Sequence, residues 1–330
     1  MKILLVTGPA GPTQGWGDWS TTKLMEKAIK ASGRDSEAIY ITYIDEFLYA
    51  LKEYSFDMVW CALYHFNQSE LQVGLAENIP WAAEILAQNK IPFVGASAPV
   101  LKSMIDKAET NRLLQSYGIP TPKQWVIDQG TGFNLEEFPI IVKPQYESES
   151  AGISEQSIVH NNEELNARAG WIHNRFNQPA LAEEYLPGKE WTVSVLGNGK
   201  SRRFYPVINH IDTNQYDCYP VIREDLKSSK AIRLDIPEKY PDACIELAKK
   251  AAWAVQCKDH VRIDIREDKN GQLKVIEING IPGLNPIKSR SLRIQNMQNP
   301  SHSIEKSLET LVDSIITSAM DRYDMALPAL

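Results

Sequence analysis

The sequence lacks any hydrophobic run long enough to cross a membrane. No segment approaches the roughly 18 uninterrupted apolar residues that a membrane-spanning helix needs. The amino terminus, MKILLVTGPAG, contains an apolar run, but the run is too short for a signal peptide and no cleavage pattern follows it. We therefore expect no membrane partner, and we interpret this run as the first buried strand of the fold.

The sequence also lacks the cysteine spacing of a disulfide framework or a metal-binding motif. The four cysteines, Cys61, Cys218, Cys244 and Cys257, are scattered, and no C-x-x-C pair occurs. This pattern is typical of free thiols in a reducing compartment. The sequence therefore predicts a cytoplasmic protein.

Positive charge is scarce as well. The chain has 35 lysines and arginines against 42 aspartates and glutamates, which gives a formal net charge of -7. Because nucleic-acid binding needs a basic surface, this balance argues against a nucleic-acid partner. The glycines after the first apolar run match neither G-x-G-x-x-G nor G-x-x-x-x-G-K-[ST], so we reject both of these nucleotide-binding loops.

What is present is a globular composition with room for more than one core. Apolar residues make up 43% and charged residues 23% of the 330 residues, which is enough for two or three subdomains. The strands predicted in the first 120 residues are 2–7, 38–43, 58–63 and 91–95, and the predicted helices include 21–31, 80–88 and 100–117. Alternation of strands and helices predicts an open, mostly parallel sheet.

His65 directly follows the third predicted strand. Loops at the carboxyl ends of parallel strands often bind small ligands, so His65 is a candidate substrate-binding residue. A lone histidine is also commonly a structural or surface residue, and both interpretations stay open here.

Lys143 ends a hydrophobic strand, Phe138 to Pro144, in the second half of the chain. A lysine at the end of a buried strand is unusual unless its ammonium group meets an anion. The small, polar loop that follows, residues 145–154, is of a kind that closes over phosphate groups with N–H groups and hydroxyls. The alternative is a flexible surface turn.

The region from Val261 to Pro286 is the most informative part of the chain. Two alternating runs flank the segment 268–271, which predicts a β-hairpin with an Asn-Gly turn. Alternation places Arg262 and Asp264 on one face of the first strand and Glu277 and Asn279 on one face of the second. Apolar residues, including Ile276 and Ile278, are expected on the opposite face.

The polar face of this hairpin suits a magnesium–nucleotide site. Two carboxylates and an amide oxygen are ligands of the kind that Mg²⁺ takes together with substrate phosphates. The sharp turn at residues 280–283 presents backbone N–H groups just beyond the carboxylates, as an oxyanion site requires. The alternative is a solvated hairpin face with ordinary charges.

Taken together, these segments resemble the ATP-grasp carboxylate–amine ligases, and most closely the D-alanine–D-alanine ligase group. The resemblance covers nearly the whole chain. It rests on the ordered motifs IPFVG at 91–95, MIDK at 104–107, GIPTP at 118–122, IVKP at 141–144 with its serine loop, EEYLPGKE at 183–190 and the hairpin. It implies an α/β (α+β) ATP-grasp fold with an amino-terminal open parallel-sheet domain.

The resemblance also implies a role for individual residues. ATP would be bound by Lys107, Lys143, Ser150, Gly152, Glu183, Glu184, Leu186 and Glu190. Asp264, Glu277 and Asn279 would hold Mg²⁺, with two ions expected and Mn²⁺ as a possible substitute. Arg262 and Gly283, with Ser150, would serve the catalytic step. Domain boundaries would fall at 1–120, 121–200 and 201–330, and a homodimer is an open expectation.

The sequence departs from the dipeptide ligases where the amino acids would bind. Glu149 stands where those enzymes have a serine, and the Lys-Tyr pair of their mobile loop is missing, with Lys227 as a candidate replacement for the lysine. Their carboxylate-binding serine falls at Lys288, with Ser289 beside it.

We therefore expect an ATP-dependent ligase that joins an amino acid, or an amino-acid-like carboxylate, to an amine other than D-alanine. Its partners would be small molecules, and its products a peptide or amide, ADP and phosphate. Authentic D-alanine–D-alanine ligation and a non-catalytic nucleotide-binding or regulatory protein are the alternatives.

Overall fold

A computed structural model describes residues 1–67, 69, 73–74, 78–211, 219–223, 232–238 and 241–325 of the chain. Three sheets with flanking helices organise this part of the molecule. None of the helices it contains is long and apolar enough to span a bilayer.

The amino-terminal sheet is parallel, as predicted. Its strands are β1 (Lys2–Thr7), β2 (Asp35–Tyr40) and β3 (Met58–Cys61), with β1 in the centre. Its helices are α1 (Gly11–Gln14), α2 (Trp19–Ala31), α3 (Ile44–Glu53) and α4 (Ala82–Gln88). The predicted fourth strand at 91–95 is wrong, because only an isolated bridge joins Phe93 to Val59. Pro92 has no N–H for a ladder, and Gly95, at φ 103°, turns the chain.

The second strand, β2, begins and ends three residues earlier than the predicted range of 38–43. Thr42 and Tyr43 instead lead into α3, where the carboxylate of Glu46 accepts hydrogen bonds from both of their backbone N–H groups. This arrangement satisfies backbone donors at the start of the helix, which a continued strand would not do.

The single helix predicted over 100–117 is wrong. The chain forms α5 (Ala98–Ile105) and α6 (Lys107–Ser116), separated by Asp106. The Asp106 carboxylate accepts hydrogen bonds from the N–H groups of Ala108 and Glu109, both at 3.0 Å, and so caps α6. The break turns Lys107 inward, where it is buried rather than part of a charged helix surface.

The central sheet is antiparallel and is covered on one face by α7 (Asn162–Phe176). Its strands are β4 (Gln124–Ile127), β5 (Ile140–Pro144), β6 (Ile158–Val159) and β7 (Ala180–Glu184), in the order β4–β7–β5–β6. Val142 and Ala182 pack against Ile172 of α7 in the core of this unit. The alternate positions, including Lys143, face away from α7 and towards the rest of the chain.

The carboxy-terminal sheet is also antiparallel. Its strands are β8 (Glu190–Leu196), β9 (Arg203–Ile211), β10 (Ile232–Asp235), β11 (His260–Glu267) and β12 (Leu273–Asn279), in the order β10–β9–β8–β11–β12. Helix α8 (Asp242–Ala254) lies between β10 and β11 in the chain, and α9 (Arg290–Gln298) and α10 (Ile304–Arg322) follow β12. Strand β8, which precedes the expected boundary at residue 200, pairs with β9 and β11. The three-unit division stays a prediction.

The last helix returns to the amino-terminal unit. Leu311 and Ile315 of α10 share a buried core with Leu5 and Met25. At the end of α10, Nη2 of Arg322 donates to the buried carboxylate of Asp259 at 2.7 Å. The same carboxylate accepts bonds from the Gly95 N–H at 2.7 Å and from Nδ2 of Asn198 at 2.6 Å, so one buried anion joins separate parts of the chain.

The predicted hairpin is β11–β12. Asp264 lies directly opposite Glu277, and Arg262 lies opposite Asn279. A register shift after Asp264 creates a β-bulge, which leaves Ile276 without a partner. The expectation that Ile276 faces the apolar core is therefore wrong, because Val275 takes the core position and Ile276 lines a cavity.

Candidate active site

The first cavity lies between the open face of the central sheet and the β11–β12 hairpin. It is narrow, about 100 Å³, because charged side chains reach into it from both walls and pair with one another. Its lining includes the predicted residues Lys107, Lys143, Ser150, Glu183, Glu184, Leu186, Glu190, Arg262, Asp264 and Glu277. The fold thus brings most of the predicted nucleotide site together from distant parts of the chain.

Two buried lysines face this cavity. Nζ of Lys107 donates to the backbone oxygen of Glu147 and lies 3.5 Å from Oε1 of Glu277, and Nζ of Lys143 lies 3.0 Å from Oε1 of Glu183. Burial lowers the pKa of Lys107; Glu277 opposes this shift, and the nearby charge of Lys143 adds to it. Two buried ammonium groups within one cavity favour a multiply charged anion as the ligand.

Asp264 is the centre of the polar hairpin face. Its Oδ2 accepts hydrogen bonds from Nε of Arg262 at 3.1 Å and from Nδ2 of Asn279 at 3.3 Å, and it lies 3.0 Å from Nη2 of Arg262 in an ion pair. Its Oδ1 accepts a hydrogen bond from the Thr192 hydroxyl at 2.8 Å. Burial lowers the pKa of Arg262, but the adjacent Asp264 carboxylate raises it overall, so the guanidinium stays charged.

The predicted magnesium ligands fit that ion by their chemistry. Asp264 and Glu277 are oxygen donors on facing positions of the hairpin, with Asn279 next to Asp264. Over the residues that the structure describes, no group of three or more His, Cys, Asp or Glu side chains is placed to hold a metal ion. Two carboxylates and an amide supply part of a shell, and Mg²⁺ commonly completes such a shell with phosphate oxygens and water.

A second set of side chains lines the other end of the first cavity. Oε2 of Glu190 lies 3.3 Å from Nη1 of Arg266, its Oε1 accepts from Nδ2 of Asn209 at 3.1 Å, and burial raises its pKa. The Arg266 guanidinium lies 5.3 Å from the Tyr185 ring centroid. The apolar lining includes Ile141, Ile153, Tyr185, Leu186, Val221 and Ile276. An apolar slot with carboxylates beside it suits a flat heterocycle that carries a sugar.

The loop after β5 adopts a tight conformation. Glu149, Ser150 and Gly152 all have positive φ, at 57°, 55° and 71°. A Cβ on Gly152 would lie 2.8 Å from atoms of Phe176 and Pro144, so only glycine fits there. Ser150 lines the first cavity, whereas Gly152 lines a groove on the outer side of the loop. Gly152 therefore shapes the loop and does not face the first cavity.

A second cavity, about 280 Å³ in volume, adjoins the first. It is formed by the loop after β1, the loop after β5 and the segment that links β12 to α9. Its lining consists of Pro12, Gly15, Trp16, Gly17, Asp18, Glu149, Arg262, Gly283, Asn285, Lys288, Ser289 and Arg290. Carboxylates and cations both face this space, so it fits a small zwitterion better than a singly charged ion.

Three predicted residues lie in this second cavity besides Arg262. Among the described atoms, a Cβ added to Gly283 would have only Oε1 of Glu149 within 4 Å, at 3.8 Å. Because glycine has no side chain, this space is left for a ligand. Lys288 is exposed. Ser289 is buried, and its hydroxyl accepts a hydrogen bond from the Leu292 N–H at 3.1 Å as the cap of α9.

The predicted substrate residue His65 is not brought to either cavity. His65 is fully buried, with Nδ1 3.4 Å from Nε2 of Gln14 and its ring edge-on to Trp81 at 5.2 Å. Burial lowers the pKa of His65 to about 4. Its role in substrate binding stays a prediction. Lys227 lies outside the described residues.

Several lining residues were not predicted. Ile276 enters the first cavity only through the bulge, which depends on pairing that the sequence does not reveal. Tyr185 lies two residues after Glu183, and Arg266 lies two residues after Asp264. Strand periodicity could therefore have predicted that both face the same side as those carboxylates. Trp16 and Arg290 reach the second cavity from segments far apart in the chain, and no local pattern marks them.

Comparison with known proteins identifies the family to which this chain belongs. The model of the D-ala D-ala ligase C-terminus family matches residues 113–316. This range includes the β11–β12 hairpin and Lys143, but not Lys107. The chain belongs to this family. It is a ligase-like member of the ATP-grasp superfamily, as the resemblance implied.

Similar proteins agree with this membership. A D-alanine–D-alanine ligase of Aquifex aeolicus is 29% identical over 269 residues, covering 80% of this chain and 84% of that protein. The uncharacterized protein y4sG of Sinorhizobium fredii is 28% identical over 240 residues, covering 71% of this chain and 68% of the relative. The crystal structure of D-alanine–D-alanine ligase from Bacillus anthracis complexed with ATP has a TM-score of 0.64 at 18% identity, covering 98% of this chain and 99% of that one. The predicted ATP-grasp fold is confirmed.

Proposed function

We propose that this ATP-grasp protein joins the carboxyl group of an amino acid, or of an amino-acid-like molecule, to an amine, with ATP converted to ADP and phosphate. The observation that carries the proposal is the pair of adjoining cavities. One holds buried lysines opposite paired carboxylates, the other has charges of both signs, and Arg262 lines both. A triphosphate suits the first cavity and a zwitterion suits the second.

The first cavity supports nucleotide binding residue by residue. Lys107 and Lys143 would receive the phosphate oxygens, with the Ser150 loop closing over them. The base would lie against the apolar side chains around Leu186, and Glu190 would accept the ribose hydroxyls. Because the cavity is narrow, ATP enters only as the lysine–carboxylate pairs separate and exchange partners.

Asp264, Glu277 and Asn279 would hold magnesium at the phosphates. Bound there, Mg²⁺ neutralises charge on the transferring phosphoryl group. The ion pair of Arg262 with Asp264 fixes the guanidinium in place before substrates bind, which avoids reorganisation during the reaction.

The chemistry proceeds in two steps. A carboxylate oxygen forms a bond to the γ-phosphorus while the bond to the β-bridging oxygen breaks, and ADP leaves with the electron pair. The product is an acyl phosphate. The amine then attacks the acyl carbon, loses a proton, and expels phosphate. Arg262 and the backbone N–H of Gly283 would stabilise the oxyanion that develops at that carbon.

The second cavity supports an amino acid but does not favour D-alanine in both positions. Glu149 and Asp18 supply negative charge to the lining of this cavity, and Lys288 supplies positive charge. A carboxylate at Glu149 would attract the ammonium group of a substrate, and Lys288 its carboxylate. The D-alanine–D-alanine ligases named among the relatives make D-alanyl-D-alanine the second candidate product.

Phosphate release from Mg–ATP tests the proposal. Purified protein is screened against pairs of carboxylates and amines, with both enantiomers of common amino acids, and products are identified by mass spectrometry. We expect release with at least one pair and an amide of the summed mass minus water. D-Alanyl-D-alanine as the preferred product would replace our substrate assignment with the second candidate.

A matched pair of variants then tests the site. Glu277→Gln removes a carboxylate that lines the first cavity, and Glu267→Gln changes the same residue type on the adjacent strand outside both linings. We expect turnover to fall by about a hundredfold or more in the first and by less than about threefold in the second. Nucleotide binding without phosphate release for any pair would favour the non-catalytic alternative.

A further inference from the structure

The two cavities share a boundary that consists of two arginines. Of all described residues that line the first or the second cavity, only Arg262 and Arg290 line both. Any group that passes from one cavity to the other must therefore pass between or beside these two guanidinium groups. Lys107 and Lys143 face only the first cavity, and Lys288 faces only the second.

The two arginines differ in how they are held. Arg262 is buried and is fixed by an ion pair and a hydrogen bond to Asp264. Arg290 is half-buried, and its side chain makes no hydrogen bond or ion pair with any other residue in the part of the chain that the structure describes. Its five N–H donors are therefore available to a ligand.

The backbone of Arg290 is nevertheless well anchored. It is the first residue of α9, which Ser289 caps through the Leu292 N–H. The next residue, Ser291, is buried and its hydroxyl lies 2.9 Å from Nε2 of His260 on β11. The charge of Arg290 also reaches across the first cavity, since it opposes the rise that burial causes in the pKa of Glu190. A fixed backbone with an unpaired guanidinium is the arrangement expected of a binding residue.

We propose that Arg290 binds the phosphoryl group that moves from ATP to the carboxylate substrate. The inference rests on the proposed ligase function. The transferred group leaves the β-bridging oxygen of ADP in the first cavity and becomes bonded to the carboxylate oxygen at the second, so a residue that lines both contacts it throughout. A guanidinium matches three phosphoryl oxygens with paired N–H donors, which a lysine does not.

Nucleotide binding measured by calorimetry tests the proposal without knowledge of the amino-acid substrate. The ligands are Mg–ADP and Mg–AMP-PNP, which differ in the terminal phosphoryl group. The proteins are the wild type, Arg290→Met, Arg290→Lys and Arg293→Met. Arg293 lies one turn further along α9, is also half-buried and lines neither cavity, so it is the matched control.

We expect Arg290→Met to weaken Mg–AMP-PNP binding by about tenfold to a hundredfold and Mg–ADP binding by less than about twofold. Arg290→Lys should recover part of the difference, because it keeps the charge but not the fork. Arg293→Met should leave both affinities at the wild-type values. Thermal unfolding of each variant checks that the fold is retained, and Arg290→Lys carries the test if Arg290→Met does not fold.

Two results would overturn the role of Arg290 while the ligase proposal stands. One is equal weakening of both nucleotides, which would place Arg290 at the base, ribose or inner phosphates. The other is an unchanged preference for the analogue in every Arg290 variant. Failure of the wild type to bind either nucleotide has a different meaning, because it overturns the ligase proposal itself and the assignment of Arg290 with it.

Discussion

Burial of two histidines, His65 and His260, should make the free energy of unfolding fall markedly in mild acid. His65 is fully buried and His260 nearly so, and burial lowers their pKa values to about 4 and about 3 from the ordinary 6.5. For His260 the nearby charge of Arg262 adds to the effect. Both side chains are therefore neutral in the folded protein at every pH at which the fold is expected to persist.

The sign of the effect follows from proton linkage. The unfolded chain protonates both histidines as the pH falls below about 6.5, whereas the folded chain does not, so the unfolded state gains stability over that range. Between pH 8 and pH 5 each histidine lowers the free energy of unfolding by about 2 kcal/mol, or about 4 kcal/mol for the pair. Glu190 acts in the opposite direction, because its raised pKa lets the folded state take up a proton first.

Urea unfolding at a series of pH values from 8 to 5 measures this dependence. His65→Gln and His260→Gln each remove one titrating group and should flatten the slope of unfolding free energy against pH by about half. His210→Gln is the control, since His210 is exposed on β9 beside Asp235. An unfolding free energy that does not change over this range in the wild type would refute the reasoning. An unchanged slope in the double variant His65→Gln/His260→Gln would refute it equally.

Two further predictions concern buried ion pairs. Lys143→Met should weaken Mg–ATP binding by about tenfold or more. It should also lower the free energy of unfolding by about 3 kcal/mol, because it leaves Glu183 buried without its cation. Calorimetry measures the first effect and urea unfolding the second, and the control Lys123→Met, at an exposed ion pair, should alter neither. Asp259→Asn should lower the unfolding free energy by about 3 kcal/mol, since it removes the anion that Arg322 and two other donors share. In urea, the double variant with Arg322→Met should be no less stable than Asp259→Asn alone, and additive losses would contradict this account.

The sequence predicted the hairpin because its determinants are local. Alternation along two strands and a polar loop between them are enough to place Arg262 and Asp264 on one face of the first strand and Glu277 and Asn279 on one face of the second. The structure supplies the register that sets these residues opposite one another. The bulge at Ile276 could not be predicted in the same way. It depends on how β11 pairs simultaneously with β8 and β12, and that is a property of the assembled sheet.

The break at Asp106 shows a different limit. Helix propensity and spacing favoured one continuous helix, but a capping aspartate in extended conformation ended one helix and began another. That local choice decides whether Lys107 faces solvent or the first cavity. The second cavity lies further from the reach of sequence patterns, because its walls come from residues 12–18, 149 and 283–290, which only the folded chain brings together.

The ion pairs across the first cavity explain how a site with so many charges is stable before ligands bind. Three cations of the site are each already paired with an acid: Lys107 with Glu277, Lys143 with Glu183, and Arg262 with Asp264. Burial of these groups singly would cost several kcal/mol each, and pairing offsets much of that cost. In the proposed function, a magnesium–nucleotide complex would bring both signs of charge together. Lys107 and Lys143 would then turn to phosphate and Glu277 to the metal, while Asp264 would hold the metal and Arg262 together. Nucleotide without magnesium would leave the Glu277 carboxylate without a cation, so affinity for ATP should depend strongly on the divalent ion.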